Sequence, residues 1–276
     1  MKQLPLLSLI FISQLFLAQA NRFVYQVTMK PDSTSREDVK IENAYLDVVN
    51  GKSVFYSEKM VQRDSLFARM RQTGGAGFDR SQMENLRSAM DYTVNKDLSN
   101  GTVALSSRIG RDQYSYDEDR KIEWKIIPEM AQIGEYKAQK AETSFGGRNW
   151  IAWFTTEIPF QDGPYKFSGL PGLIIKVEDA VGDYSFDLKE TKNIIGFPEI
   201  NNRGNIIKVK RKDFEKQQAV FRKDPVSFMQ ASMGGGRGFG TRRNGGGDNA
   251  DRRRQMQERM KEEVEKNNNP IEKIMK

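Results

Sequence analysis

The chain has 276 residues, with 44 Lys+Arg against 37 Asp+Glu, a formal net charge of +7, and neither His nor Cys. Those two absences exclude a thiol nucleophile, a Ser-His-Asp triad, histidine acid–base chemistry, disulfides, and zinc or copper sites built on imidazole or thiolate. Carboxylate, Lys, Ser and Tyr chemistry stays open, as does hard-cation binding by oxygen.

Residues 1–20 read as an export signal. Lys2 precedes an apolar stretch from Leu4 to Leu17, which ends in Ala18-Gln19-Ala20. A spanning helix needs roughly 20 apolar residues, and this run is shorter. Ala18 and Ala20 supply the small side chains that a signal peptidase pocket admits. No Cys follows for lipid attachment, and no later segment is long and apolar enough to span a bilayer. The chain is therefore expected to be exported, to the periplasm, the outer-membrane periphery or the medium, and not to be an integral membrane protein.

Residues 21–230 read as an antiparallel β-rich domain with a helical insertion at about 61–90. Arg22 to Lys30 alternates as a strand. Ala44–Val49 and Lys52–Tyr56 flank Asn50-Gly51, the pair that tolerates positive φ at both positions of a tight hairpin turn. Val61–Met70 and Ser81–Met90 have helical patterns separated by a glycine-rich breaker, and Ser81 with Glu84 forms a capping-box pattern. Strand patterns resume at Thr102–Ser106, Gln113–Tyr116, Ile122–Ile127, Tyr136–Ser144, Trp150–Thr155, Leu173–Glu178 and Tyr184–Lys189. Sequential strands without long intervening helices argue for an antiparallel sheet. The expected fold is mainly β (α+β), a curved antiparallel sheet or open barrel. Trp150, Ala152 and Phe154 oppose Ile151 and Trp153, so that strand is expected to be central and covered on both faces.

The tail differs in character. Residues 210–276 carry 17 basic against 10 acidic side chains, whereas 21–209 are nearly balanced. Within 231–250, eight glycines fall between Gly234 and Gly247, a composition that buries too little apolar surface to order itself. Residues 251–276 regain helix formers, with a thin stripe of Met256, Met260 and Val264. The expectation is a flexible basic tail, dispensable for the fold from about Met233 onward.

The densest motif lies between Gly147 and Asp179. It holds Trp150 and Trp153, then Ile158-Pro159, Gly163-Pro164-Tyr165 and Gly169-Leu170-Pro171-Gly172-Leu173-Ile174. In this order the elements resemble the GLPGLI family, secreted proteins of the Bacteroidetes named for that hexapeptide. Lys52–Tyr56 and the Asn-Asn-Pro-Ile-Glu run at 268–272 add to the resemblance, while Ala138 stands where many relatives have Cys. The resemblance implies export but neither an activity nor catalytic residues. Read physically, Pro171 and Gly172 suit a type II turn feeding a strand in which Leu173, Ile175 and Val177 share a face. None of these side chains transfers a proton or holds a metal, so the motif reads as structural. The alternative is a loop whose glycines let a ligand approach the backbone.

Other clusters have plain readings. Asp117-Glu118-Asp119 lacks the EF-hand pattern and reads as a solvated turn rather than a calcium site. Two of Glu157, Asp162 and Asp179 could make a glycosidase-like pair, and Ser168 beside Lys166 is a poor match to Ser-Lys spacing. No cofactor, metal or nucleic acid is expected. The leading expectation is a non-enzymatic binding or accessory protein for an apolar ligand or an outer-membrane partner. The alternatives are a carboxylate-dependent hydrolase of peptide or glycan, or a scaffold whose basic tail meets an anionic surface. For the export reading, intact-mass analysis of exported protein should give a chain starting at Asn21. Recovery of the uncleaved chain in the membrane fraction would contradict it.

Overall fold

The alternation at Arg22 to Lys30 becomes the central strand of the molecule, β1 (Gln19–Met29). In a computed structural model, which describes residues 19–74, 79–196, 205–231 and 248–273, β1 joins two antiparallel meanders. The first runs outward through β2 (Lys40–Val49), β3 (Lys52–Ser57), β4 (Tyr92–Asp97), β5 (Thr102–Ile109) and β6 (Asp112–Asp117). The second consists of β7 (Lys125–Ile133), β8 (Tyr136–Phe145), β9 (Arg148–Thr155), β10 (Leu173–Asp179) and β11 (Tyr184–Ile195), and β11 pairs with β1. A short β12 (Ile206–Lys208) adds to β6 in parallel, which completes one open, curled sheet of 12 strands. The fold is mostly β, as the pattern predicts.

Local sequence explains the joints. Asn50 and Gly51 take φ of 49° and 74°, as the two-residue hairpin between β2 and β3 requires. Pro128 lies in β7, an edge strand with a register shift between Ile126 and Met130, where a missing backbone donor is tolerated. That strand begins at Lys125, later than the Ile122–Ile127 pattern suggests. In the insertion, α1 (Glu58–Gln72) and α2 (Arg80–Asn85) form. Asp79, not Ser81, caps α2: its carboxylate accepts from the Ser81 N–H at 2.8 Å. No residue of α1 is buried, although the helix packs beside β2 and β3.

One face of the sheet is the core. Cross-strand register sets Phe23, Leu46, Phe55, Val94, Leu105 and Tyr116 in one continuous row, all buried. On β9, Trp150, Ala152 and Phe154 point into this core, while Ile151 and Trp153 are only half-buried on the other side. Full cover of both faces is thus not what the structure shows. Behind β5 and β6 pack α3 (Arg211–Lys223) and α4 (Pro225–Ala231), with the Phe214 ring 5.0 Å from Tyr116. Then α5 (Asp248–Lys266) leads to the chain end.

The Leu170-Pro171-Gly172 corner is tighter than the expected type II turn, because the Gly172 N–H donates to Leu170 O, two residues back, at 2.8 Å. Gly172 has φ of 148°, and a Cβ there would lie 2.0 Å from the Thr155 carbonyl oxygen. The constraint is a close backbone approach as well as a dihedral angle. Gly169, with φ of 90° and open space around it, carries the dihedral constraint alone. Gly172→Val should therefore cost roughly 2–5 kcal/mol of unfolding free energy, and Gly169→Ala about 1 kcal/mol. Urea denaturation of the two variants against wild type reads both.

Candidate functional site

Between β9 and β10, residues 156–172 leave the sheet and fold back into its concave face. Asp162, Gly163, Pro164, Tyr165, Lys166, Phe167 and Leu170 are all buried. Phe167 is the hub, with the rings of Trp150, Tyr165, Trp124, Phe145 and Phe186 at 4.8–6.4 Å. A buried irregular loop must find partners for its own peptide groups. The loop bonds to itself and to strand ends: Ile174 N–H to Asp162 O at 2.9 Å, and Gly169 N–H to Gln161 O at 3.2 Å. Trp124 Nε1 donates to Ser168 O at 2.9 Å.

Lys96 supplies what the backbone lacks. Strand alternation puts it two residues beyond Val94 in the core row, fully buried. Its ammonium donates to Gly163 O at 2.6 Å and Phe167 O at 3.4 Å, and pairs with the equally buried Asp162. Burial pushes the Lys96 pKa down, and Asp162 counteracts that.

Two further buried cations are Lys166 within the loop and Arg148 at the start of β9. Lys166 pairs with Glu118 at 2.6 Å and with Glu272, and donates to the Tyr116 hydroxyl at 2.8 Å. Arg120 closes the square, bonding both Glu118 and Glu272. Arg148 binds Asp179 at 2.6 Å and Asp183 at 3.1 Å, lies over the Tyr184 ring, and donates to Asn269, Pro270 and Ile271. Residues 268–273 are therefore docked on the sheet. This corrects the expectation that everything beyond about Met233 is peripheral. Of the stripe on α5, Met260 and Val264 turn inward and Met256 stays exposed. The glycine/arginine-rich run at 232–247, Ala18 and the apolar stretch before it lie outside the described residues.

The expected reactive groups are not brought together. Asp162 is paired with Lys96, Asp179 with Arg148, and Glu157 accepts from the Lys137 N–H at 3.1 Å. Lys166 is held by two carboxylates, which leaves no base for Ser168. The 117–119 turn is less solvated than expected. Glu118 is buried on Lys166 and Arg120, Asp119 meets Arg211, and Asp117 meets Lys208. Among the described residues no group of acidic side chains is arranged to hold a metal. Of the motif residues, Trp150, Gly163, Pro164, Leu170, Gly172, Leu173 and Ile174 are buried, whereas Trp153 is half-buried and Pro159, Gly169 and Pro171 are exposed.

Beside the loop the concave face opens into a cleft of about 1120 Å³. The walls come from β4 and β5, α1, α3 and residues 267–273. Met29, Met60, Met83, Met90, Met229 and Met260 line it together with Tyr92, Tyr116, Tyr165 and Tyr184. Burial pushes Tyr116 and Tyr184 up to about 12, and Tyr92 and Tyr165 are raised as well, so these phenols stay neutral. Arg222 and Asp91 also line the cleft, and neither forms an ion pair among the described residues. Burial lowers the Arg222 pKa, and electrostatic interactions with Tyr184 and with the exposed Asp91 oppose that. Sequence reasoning missed these groups, since nothing local marks an arginine on α3 as facing a cavity.

A family model described as a protein of unknown function (Porph_ging) matches residues 146–176, which is the buried loop with its flanking strands. This short match likens the motif to a Bacteroidetes-type family. No curated protein matches the chain. Among solved structures the chain is similar to PNGF-II in its C2 and P21 crystal forms. The TM-score is 0.52 at 16% identity in each, with 74% of this chain covered. The likeness shows the fold alone, and the chain spans about a third of PNGF-II's length, 34%.

The Glu118 network makes a pH prediction. Burial would raise the Glu118 pKa, but hydrogen bonds and charge from Arg120 and Lys166 bring it down to about 2 from 4.5. A folded-state pKa below the unfolded value contributes stability above pH 4.5, lost as pH falls toward 2. Unfolding free energy should therefore drop over that window. In Glu118→Gln the drop should be shallower, from a lower plateau at pH 7, as urea titrations at pH 7, 4 and 3 would show.

Proposed function

We propose that the protein is an exported binding protein whose cleft takes an amphipathic molecule. The ligand's apolar body lies on the methionine and tyrosine lining, and its anionic group meets Arg222. The observation that carries this reading is a half-buried Arg222 that makes no direct ion pair among the described residues, although the Asp91 charge acts on it, in a large cleft where methionines and tyrosines alternate with charged side chains. Burial of a cation is costly unless a partner arrives, so such a group favours an anionic ligand. Methionine surfaces adapt to varied apolar shapes. The ligand is thus amphipathic rather than wholly apolar. Export rests on Ala18-Gln19-Ala20, and kinship with the GLPGLI family on the ordered motif from Trp150 to Ile174. Cleavage after Ala20 would keep the pairing of β1 with β2, which begins at Asn21, and would remove the Gln19 and Ala20 pairs with β11.

A second reading, hydrolysis, draws on Glu42 and Asp91. Both line the cleft, and burial raises the Glu42 pKa, as in a general acid, whereas Asp91 is exposed. It ranks lower because the Glu42 oxygens are already engaged. Oε1 accepts from Ser88 and from the Met90 N–H at 2.9 Å each, and Oε2 faces Ser57 and Lys59.

A fluorescent long-chain fatty acid and its neutral alcohol analogue test the binding reading. The acid should bind the wild type at least tenfold more tightly than the alcohol. Arg222→Met should remove about 1.5–3 kcal/mol from the acid and leave the alcohol unchanged. Equal binding of acid and alcohol, unaltered by the substitution, would sink it. Turnover of peptide or glycan substrates that Asp91→Asn abolishes would favour the second reading.

A further inference from the structure

The C-terminal residues 268–273 contact the sheet as a peptide contacts a receptor. Two backbone bonds fix the ends of the segment: Asn269 N–H to Pro31 O at 2.8 Å, and Lys273 N–H to Gly146 O at 2.7 Å. Between them Arg148 reads three successive residues. Nη2 donates to the Asn269 side-chain oxygen at 2.6 Å and to Pro270 O at 2.8 Å, and Nε donates to Ile271 O at 3.0 Å. Tyr184 adds a bond to Asn269 O at 2.7 Å. Glu272 then enters a pocket of Lys166, Arg120 and Tyr165.

The receiving surface is shaped for this segment. At the β8–β9 turn, a Cβ on Gly146 would lie 2.9 Å from Glu272 Cγ, and one on Gly147 would lie 2.9 Å from Lys273 Cβ. The receiving cations are almost wholly buried, at 1% side-chain exposure for both Arg148 and Lys166. Arg148 and Lys166 also hold carboxylates of the sheet domain, Asp179 and Glu118, so both side chains have partners that position them independently of the segment. The tether is long by comparison. Sixteen residues at 232–247, eight of them glycine, separate α4 from α5, a chain length that can span roughly 50 Å. Strong recognition beyond a long connecting segment is the condition under which one copy can supply the docked residues to another.

We propose that the β8–β9 turn, Arg148 and the Lys166–Arg120 pocket form a peptide-recognition socket for the Asn-Pro-Ile-Glu end of this chain. The segment docked in the structure is an exchangeable occupant, which a second copy of the chain can provide. Since residues 267–273 also wall the cleft, exchange couples the socket to cleft access. The proposal does not depend on what the cleft binds.

The test uses a labelled synthetic peptide of residues 265–276. With the full-length chain the peptide competes against the tethered segment. In full-length Glu272→Gln the native occupant is weakened, and labelled peptide should bind at least tenfold more tightly than to wild type. Peptides carrying Asn269→Ala or Glu272→Gln should bind that variant at least tenfold more weakly than the natural sequence, and a scrambled peptide not at all. In a chain with a protease site placed within 232–247, cleavage should leave the C-terminal fragment bound and replaceable by excess peptide. Failure of Glu272→Gln to take up more peptide than wild type would overturn the proposal. So would equal binding of the scrambled sequence, or a cleaved, folded core from which the fragment is never displaced.

Discussion

A loop buried inside a sheet is the constraint on which the rest of this structure depends. Loops ordinarily run over surfaces because their peptide groups have no ladder to join. Here residues 156–172 carry Phe167 into the middle of five rings, so their carbonyls lie where water does not reach. Lys96 resolves this. A β-strand donates its own N–H groups only within the sheet plane, but a lysine on the core face can reach across to Gly163 O and Phe167 O. Such a cation has a large desolvation cost, which Asp162 offsets by direct pairing. The loop and the strand thus specify each other: without the loop, Lys96 would be a charge in an apolar row.

The same logic repeats outward. Lys166 and Arg148 enter the interior with the motif and are matched by groups distant in sequence, Glu118 and Glu272 for one, and Asp179, Asp183 and Asn269 for the other. These partners tie the end of β6 and the chain end to the loop through Lys166, and the β10–β11 turn and the chain end to the start of β9 through Arg148. The cleft follows from this arrangement. The loop fills one part of the concave face, and the docked chain end forms a wall on the side left open. Arg222 lines this face half-buried and without a direct ion pair among the described residues, unlike Lys96, Lys166 and Arg148.

Local physics made much of this legible in the sequence. The Asn50-Gly51 hairpin, the alternation of β1 and β9 and the succession of short strands are readable because each depends on neighbours in the chain. Gly172 was readable as a glycine requirement, though its main reason, the Thr155 carbonyl 2.0 Å from a Cβ, lies in another strand. What could not be read depends on contacts far apart in sequence. Lys96 differs from a surface lysine only in sharing a face with Val94. Glu118 looks like part of a solvated acidic turn until Lys166 is placed beside it. Glu272 closes a segment whose composition resembles a solvated tail. The helix α3 has its aromatic signal in Phe214 and Phe221 alone, spaced two turns apart among charges. A candidate site built from carboxylates near the motif failed for the same reason: each of Glu157, Asp162 and Asp179 already has a structural partner.

The central claim is that Lys96 and Asp162 act as one unit that holds the loop in the sheet. A double-mutant cycle measures this directly, with Lys96→Met, Asp162→Leu and the double variant compared with wild type by urea unfolding. Removing one member leaves an uncompensated buried charge, so each single substitution should cost about 3–5 kcal/mol. The double variant should be no worse than either single one, giving a coupling of several kcal/mol. Additive losses, with the double variant falling by the sum of the two, would contradict the account.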